Sequence, residues 1–330
     1  MKYKVGIVGC GGIAHVHAKS LEQMDNVEMV AFADIRPERA QEFADAFGGH
    51  AYTSLNEMLD AEKIDVLHIC TPHALHVPMA VEAANRGIQV FSEKPAAINP
   101  EQMDQLLEAA KKVHIGICFQ NRYNDNVQYV KKELEEGKAG KVLGARGIVN
   151  WHREAPYYKD SGWRGTMKLE GGSVLINQSI HTLDLLTYLI GEPADCEAIM
   201  ANHTLKGVIE TEDTLEAYIN FKNGARASFY ATNAYITNAP VLIDIVCENK
   251  SYRLEGPALY VKEGDGDYEK IQLAEKVALG KGYWGTGHPS AITNFYDSLT
   301  DKVEYLVRLD EVDRTMRLMF AIYDSARSAK

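Results

Sequence analysis

A lysine held between an acid and a proline, in Glu93-Lys94-Pro95, is the first group in this chain equipped to move a proton. An ammonium whose pKa falls through burial or a neighbouring cation can donate to, or accept from, a hydroxyl near neutral pH. The same residues would also serve as a surface Glu–Lys pair in a loop, worth little to stability. The second set is Asn177, His181 and Asp184, at i, i+4 and i+7 of a run from Val174 to Ile190 that follows Gly171-Gly172-Ser173 and ends at Gly191. On a helix that spacing makes one narrow polar stripe. Its other faces carry Ile176, Ile180, Leu183, Leu185, Leu186 and Leu189. A helix apolar nearly all round is buried, and buried polar groups need partners. The stripe is therefore either a structural hydrogen-bond network or the wall of a cleft. Histidine, which titrates where proton transfer is useful, favours the cleft.

A third group is Trp151, His152, Arg153, Tyr157 and Tyr158 at the end of a strand-like run. Aromatics beside a cation suit a sugar ring, including one bearing a carboxylate or phosphate; such clusters also arise from plain loop packing. His288, after Gly285-Thr286-Gly287, reads as a turn histidine. His15, His17, His73 and His76 scatter over several elements and form no metal set, so no metal is expected.

The elements that position these groups follow from periodicity. Short apolar runs at Val5–Val8, Val27–Ala33, Val66–Cys70, Val90–Phe91 and Ile115–Phe119 alternate with helical patterns at Ala14–Met24, Pro37–Phe47, Val77–Arg86 and Pro100–Lys112. That alternation predicts a parallel, doubly wound α/β sheet over residues 1–122. Gly9, Gly11 and Ala14 fill the G-x-G-x-x-G/A fingerprint between the first strand and the first helix, with Gly12 and Ile13 opening that helix. Such a turn brings backbone N–H groups to a pyrophosphate. Asp34 closes the second strand, where an acid meets the adenosine ribose; it would also serve as a cap for the helix at Pro37. An acid there favours NAD, while Arg36 would suit the extra phosphate of NADP or stack on adenine. Thr71, Pro72 and His76 follow the fourth strand, at the carboxyl edge where such sheets bind ligands, and are counted with the cofactor site.

After Arg122 the pattern changes to one helix, Val127–Glu136, and longer strands at Val142–Trp151, Asp195–Asn202, Thr214–Phe221, Ala225–Ala231 and Val241–Glu248. Asn223-Gly224 marks a hairpin. Residues 123–330 are expected to form an α+β domain on a largely antiparallel open sheet, with a helical C-terminus from about Glu311.

Bulk properties narrow the function. The 330 residues suit two domains. A net charge of −11 without any Lys/Arg-rich block argues against nucleic acid or an anionic membrane. Five scattered cysteines, none in a C-x-x-C pair, and no apolar run of spanning length point to a cytoplasmic protein.

Taken together, the glycine-rich start, Glu93-Lys94-Pro95 and the Gly-Gly…Asn-Gln…His…Asp segment resemble the glucose–fructose oxidoreductase / inositol dehydrogenase / rhizopine-catabolism (Gfo/Idh/MocA) family, from residue 3 to the C-terminal Ala-Ile-Tyr-Asp-Ser-Ala-Arg. The resemblance implies NAD(P)-dependent hydride transfer at a hydroxyl-bearing carbon of a sugar, polyol or sugar derivative, in a homodimer or homotetramer. It gives Lys94 the task of positioning and polarising the hydroxyl, and His181 that of acid/base. It places Glu93, Gln120, Trp163 and Arg164 by the cofactor. Arg122, Trp151, Arg153, Tyr157 and Asn177, with Lys94 and His181, fall to the substrate. Many members carry aspartate one turn before the histidine. Asn177 stands there instead, which leaves the base open between Lys94 and His181, and Asp184 either orients the histidine or holds the helix. Two other activities share the fold: glycoside cleavage with recycled NAD, and nucleotide sensing without catalysis.

Overall fold

The computed structural model describes residues 2–274, 285–300 and 303–329. It divides into two units, Met1–Gln120 with Ala278–Leu309, and Asn121–Val277 with Asp310–Lys330. The stretch 278–309, assigned to the second domain by pattern, thus groups with the first.

In the first unit, β1 (Tyr3–Val8), α1 (Gly12–Glu22), β2 (Val27–Ala33), α2 (Pro37–Phe47), β3 (His50–Tyr52), α3 (Leu55–Ala61), β4 (Val66–Ile69), α4 (His76–Asn85), β5 (Gln89–Ser92), α5 (Pro100–Ala109) and β6 (Ile115–Ile117) alternate. The strands form one parallel sheet in the order β3-β2-β1-β4-β5-β6, the doubly wound arrangement with its switch point beside β1. Val5, Ile7, Val66, Leu67, Ile69, Val90 and Phe91 are fully buried, as strands covered on both faces require. Pro37 and Pro100 sit in first helical turns, and Asn99 caps α5 by accepting the Gln102 N–H at 2.8 Å. The edge strand β3 and helix α3 were not read from sequence. A returning helix, α9 (His288–Ser298), packs Phe295 and Tyr296 into this core, and a Cβ on Gly116 would lie 2.6 Å from Phe295.

In the second unit, α6 (Asp125–Glu135), β7 (Val142–Asn150), a short α7 (Ala155–Lys159) and α8 (Ile180–Ile190) precede β8 (Pro193–Ala201), β9 (Thr214–Phe221), β10 (Arg226–Thr232), β11 (Leu242–Cys247), β12 (Lys250–Glu255), β13 (Ala258–Glu263) and β14 (Glu269–Ile271). The sheet order is β14-β13-β12-β11-β7-β10-β9-β8, antiparallel except for β10 beside β7. Alternation sets its faces. β9 buries Leu215, Ala217, Ile219 and Phe221, and β10 buries Ala227, Phe229 and Ala231. Gly224, at φ +90°, turns the hairpin. Helix α8 lies so close to β7 that a Cβ on Gly147 would come within 2.9 Å of Thr182.

Candidate active site

In the first unit, Gly9 has φ +87°, and a Cβ there would lie 2.7 Å from the Cys70 carbonyl, so only glycine fits the turn. At Gly11 and Gly12 a Cβ would meet nothing within 4 Å. Gly11 caps α1 without a side-chain bond, and the first turn holds no acid. Bare N–H donors facing open space fit the pyrophosphate of a dinucleotide. Ala14 is fully buried, as close helix–strand packing requires. Asp34 accepts the backbone N–H of Cys10 at 2.8 Å and of Arg36 at 2.9 Å. It ties the glycine turn to β2, and each oxygen keeps capacity for a ribose hydroxyl. Arg36 is exposed. Replacing Gly11 with valine is expected to weaken NAD binding by about 10–100-fold, the worth of one or two bonds to a charged group. The thermal midpoint should stay put, because the added side chain enters open space. Calorimetric titration beside a melting curve checks this, and an unchanged Kd would remove the turn from the phosphate site.

At the end of β5, Lys94 is the one residue from Val90 to Ala97 that is not buried, and its bond to Pro95 is cis. Glu93 lies beneath it. One carboxyl oxygen accepts the Lys94 backbone N–H at 3.2 Å; the other faces His17 Nε2 at 3.1 Å and His288 Nε2 at 3.9 Å. His17 Nδ1 meets His68 Nδ1 at 2.9 Å, and His68 Nε2 meets the Tyr296 hydroxyl at 3.0 Å. One proton arrangement satisfies all three contacts: Tyr296 donates to His68, His68 to His17, and His17 to Glu93. Burial alone would raise the Glu93 pKa. The hydrogen bond from His17 and the nearby positive charge of Lys94 outweigh it and hold Glu93 well below the usual carboxylate range. Burial pushes His288 down to about 4. His288 is therefore not a turn residue at the surface but a buried one opening a helix. Cys118 completes a buried trio in which the His17, Glu93 and Cys118 ligand atoms lie within 4.8 Å of one another.

Thr71 and Pro72 are half-buried at the end of β4. His76 is 1% exposed and faces two carbonyl oxygens, Pro95 at 2.8 Å and Thr71 at 2.9 Å, so it ties two strand-end loops together rather than offering a free ring. Gln120 is buried, 3.8 Å from the Cys118 sulfur.

In the second unit, the single helix expected from Val174 to Ile190 is two pieces. Val174–Ser179 is a π-helix, and α8 starts at Ile180. The wider turn breaks the i, i+4, i+7 register, and such turns recur at functional sites. From Gly171 to Ile190 only Asn177 and His181 escape full burial. Asp184 does not share their face: it is 1% exposed and takes a bidentate bond from Arg122, at 2.8 Å and 2.7 Å, and one from Thr315 at 3.0 Å. Arg122 is itself 0% exposed and also paired to Glu311. The guanidinium expected to border a cleft instead pins α6's approach to α8 and α10 (Leu309–Ser328).

Around the π-turn, Arg153 lies 5.0 Å from the Trp151 ring and 5.2 Å from Tyr157. Arg164 lies 4.5 Å from Tyr157 and 4.8 Å from Trp163. Gln178 Nε2 donates to the Tyr157 hydroxyl at 3.1 Å. Trp151 is buried, its indole N–H donating to Ala239. Two buried acids missing from the sequence reading flank Gly171-Gly172. Glu212 accepts the backbone N–H groups of Ser173 and Leu175, both at 3.1 Å, and the Tyr323 hydroxyl at 2.9 Å. Glu170 accepts the Gly165 N–H and Asn177 Nδ2. A Cβ on Gly172 would collide with the Tyr323 hydroxyl. An acid before a glycine pair and a tyrosine among aliphatics on the last helix were the available signals.

Comparison with known proteins bears on both units. Residues 3–119 match the oxidoreductase family with an NAD-binding Rossmann fold, and residues 127–253 match the GFO/IDH/MocA C-terminal domain. The D-glucoside 3-dehydrogenase of Escherichia coli K12 is 30% identical over 352 residues, covering 98% of this chain and 95% of that protein. The myo-inositol 2-dehydrogenase of Thermotoga maritima is 26% identical over 230 residues, covering 67% of this chain and 66% of that one. Among solved structures, the WlbA dehydrogenase from Bordetella pertussis, in complex with NADH and UDP-GlcNAcA, is 30% identical, with a TM-score of 0.86 over 100% of this chain and 98% of the other. With a fingerprint turn that fits a dinucleotide and both domains matched, the chain belongs to the Gfo/Idh/MocA family of NAD-binding oxidoreductases.

Proposed function

We propose that this oxidoreductase transfers a hydride between NAD and a hydroxyl-bearing carbon of a sugar, polyol or sugar derivative, using Lys94 and His181 on that hydroxyl. The observation that carries this reading is the pattern of exposure: each of two otherwise sealed segments releases only its chemically capable side chains, Lys94 in one, Asn177 and His181 in the other. The relatives support it, being named for a glucoside and an inositol. The rings of Trp151, Tyr157 and Trp163, with Arg153 and Arg164, supply flat apolar faces and cations suited to a sugar bearing an anionic group.

Bound NAD supplies the hydride acceptor; the side chains handle the proton. The Lys94 ammonium donates to the substrate oxygen and stabilises negative charge as it develops there. A neutral imidazole nitrogen of His181 takes the hydroxyl proton. Asn177 holds the substrate hydroxyl by a hydrogen bond without adding charge. Glu93, with its oxygen on the Lys94 N–H, fixes the peptide from which the lysine extends. Asp34 disfavours a 2′-phosphate, so NAD is preferred over NADP.

The test is a panel of sugars and polyols, each with NAD and NADP, following the absorbance of reduced cofactor. At least one sugar or polyol should give NADH with NAD ahead of NADP; silence across the panel would sink the reading.

The same reading includes assembly of this chain as a dimer or tetramer through the outer face of the eight-stranded sheet. That face carries Ile199 (57% exposed), Tyr218 (42%) and Val246 (44%), with Ile148 and Tyr230 half-buried between them. Among the described residues no helix is long and apolar enough to cross a membrane. The five cysteines are free, which supports a reducing, cytoplasmic setting.

A further inference from the structure

We propose that Tyr323 is a positioning residue: with Glu212, its hydroxyl holds the π-turn at Val174–Ser179 in register and keeps Asn177 half-exposed beside His181. Its effect on turnover rests on the reading of Asn177 as a substrate ligand. A helix start leaves four backbone N–H groups without partners inside the helix. The Asn177 N–H reaches the Ser173 carbonyl at 3.0 Å, so the four belong to Ser173, Val174, Leu175 and Ile176. Their cap is not local: the Ser173 hydroxyl makes no capping bond and faces the Tyr158 hydroxyl at 3.2 Å. Two residues far along the chain take all four. One Glu212 carboxyl oxygen accepts from Ser173 and Leu175, both at 3.1 Å, and the Glu212 carbonyl accepts from Val174 at 3.5 Å. The Tyr323 hydroxyl accepts from Ile176 at 3.3 Å and donates to that same carboxyl oxygen at 2.9 Å, which joins the two residues into one cap. Gly172 makes room for it, since a Cβ there would lie 2.0 Å from the Tyr323 oxygen.

The far end of the segment is pinned as well. Asp184 is held by Arg122 and by Thr315, and Thr315 stands on α10, as Tyr323 does. Residues seven apart on a continuous α-helix differ by only about 20° around its axis. Asn177 would then share the face on which Asp184 is buried. A π-turn holds one residue more than an α-turn, which amounts to about 100° of helix rotation. That rotation lets Asp184 face Arg122 at 1% exposure while Asn177 stays half-exposed.

Without the Tyr323 hydroxyl, the Ile176 N–H is left to seek the Gly172 carbonyl, four residues back, and that bond starts an α-turn. The extra residue then passes into the Gly171-Gly172 end, and Asn177 rotates toward the interior. His181 lies on the side of the turn pinned through Asp184 and keeps its place. The bond from Asn177 to Glu170 orients the amide once the backbone has brought it there; the cap places the backbone.

A crystal structure of Tyr323→Phe, which keeps the ring and loses only the hydroxyl, tests the cap without any substrate. Val174–Ser179 should be α-helical there, with Asn177 turned inward. In turnover, Tyr323→Phe should raise KM about tenfold, the worth of one hydrogen bond, while the pH dependence of kcat and the Kd of NAD stay as in the wild type. Asn177→Ala should raise KM by a similar factor. The double variant should be no worse than either single one, because Tyr323 acts through Asn177 and such effects do not add. A general loosening of the fold would multiply the two effects to about a hundredfold. A π-turn that survives unchanged in Tyr323→Phe, or effects that multiply, overturns the proposal. If the substrate panel were silent while the turn still changed in Tyr323→Phe, the reading of the reaction would fail and the control of register would stand.

Discussion

Replacing Lys94 with methionine lowers kcat by about a thousandfold while NAD binds with nearly its original Kd. The magnitude is that of losing a positioned proton-handling group together with electrostatic stabilisation of an incipient alkoxide. Methionine keeps the length and the apolar stem, so the loss isolates the charge. The residues proposed to hold the dinucleotide phosphates and ribose, at the glycine turn and Asp34, are untouched by the substitution. Steady-state rates beside fluorescence titration of NADH separate the two quantities. The companion variant His181→Asn tests the proposed base: loss of the proton acceptor should lower kcat by about 10²–10⁴-fold while the Kd of NAD holds. Turnover unchanged in Lys94→Met would take the lysine out of the chemistry.

The largest effect on stability is expected at Arg122. This guanidinium is 0% exposed and bonded to Asp184 through two nitrogens. Truncating one partner of such a pair strands a buried charge, so Arg122→Met should destabilise the second unit by about 3–5 kcal/mol. Removing both charges, in Arg122→Met with Asp184→Leu, should recover most of that loss, because apolar residues of similar volume replace buried ion pairs at little cost. Denaturant titration of the single and double variants checks both statements. An unchanged midpoint with a raised KM would instead return Arg122 to the substrate-binding role suggested by its sequence motif.

The residues explain how far the sequence could be read. The fingerprint turn was readable because its geometry is local: a strand, a glycine at φ +87° and a helix start follow within a few residues. Long strands with clean alternation, such as Thr214–Phe221, came out with the bounds the structure shows. The edge strands His50–Tyr52 and β14 did not, because an edge strand buries too little to leave a pattern; β12 and β13, inside the sheet, were missed because each buries only two apolar side chains, Tyr252 with Leu254 and Leu259 with Val261. The π-turn at Val174–Ser179 left no trace, since apolar residues on every side fit either helix period. Pairings across long separations were also out of reach. His17 meets His68 and Glu93, Arg122 meets Asp184, and Tyr323 meets Glu212, in each case through contacts that only the folded chain creates. Glu170 was passed over for a related reason: an acid beside glycines looks solvent-facing until its burial is known.

The return of the chain to the first unit limits how the protein can be cut. Residues 278–309 complete a unit that begins at residue 1, and the polypeptide crosses between units at 120, 277 and 309. Phe295 packs its ring, tilted, 5.2 Å from that of Phe91, and the Tyr296 hydroxyl satisfies His68. A fragment ending at Gln120 would carry the glycine turn and Asp34 yet lose the aromatic lid over β4 and β5 and the final donor of the histidine chain beneath Lys94. The nucleotide-binding half is thus not a detachable cassette. Its last structural pieces are translated only after nearly all of the other unit, so its completion must wait for synthesis of almost the whole polypeptide.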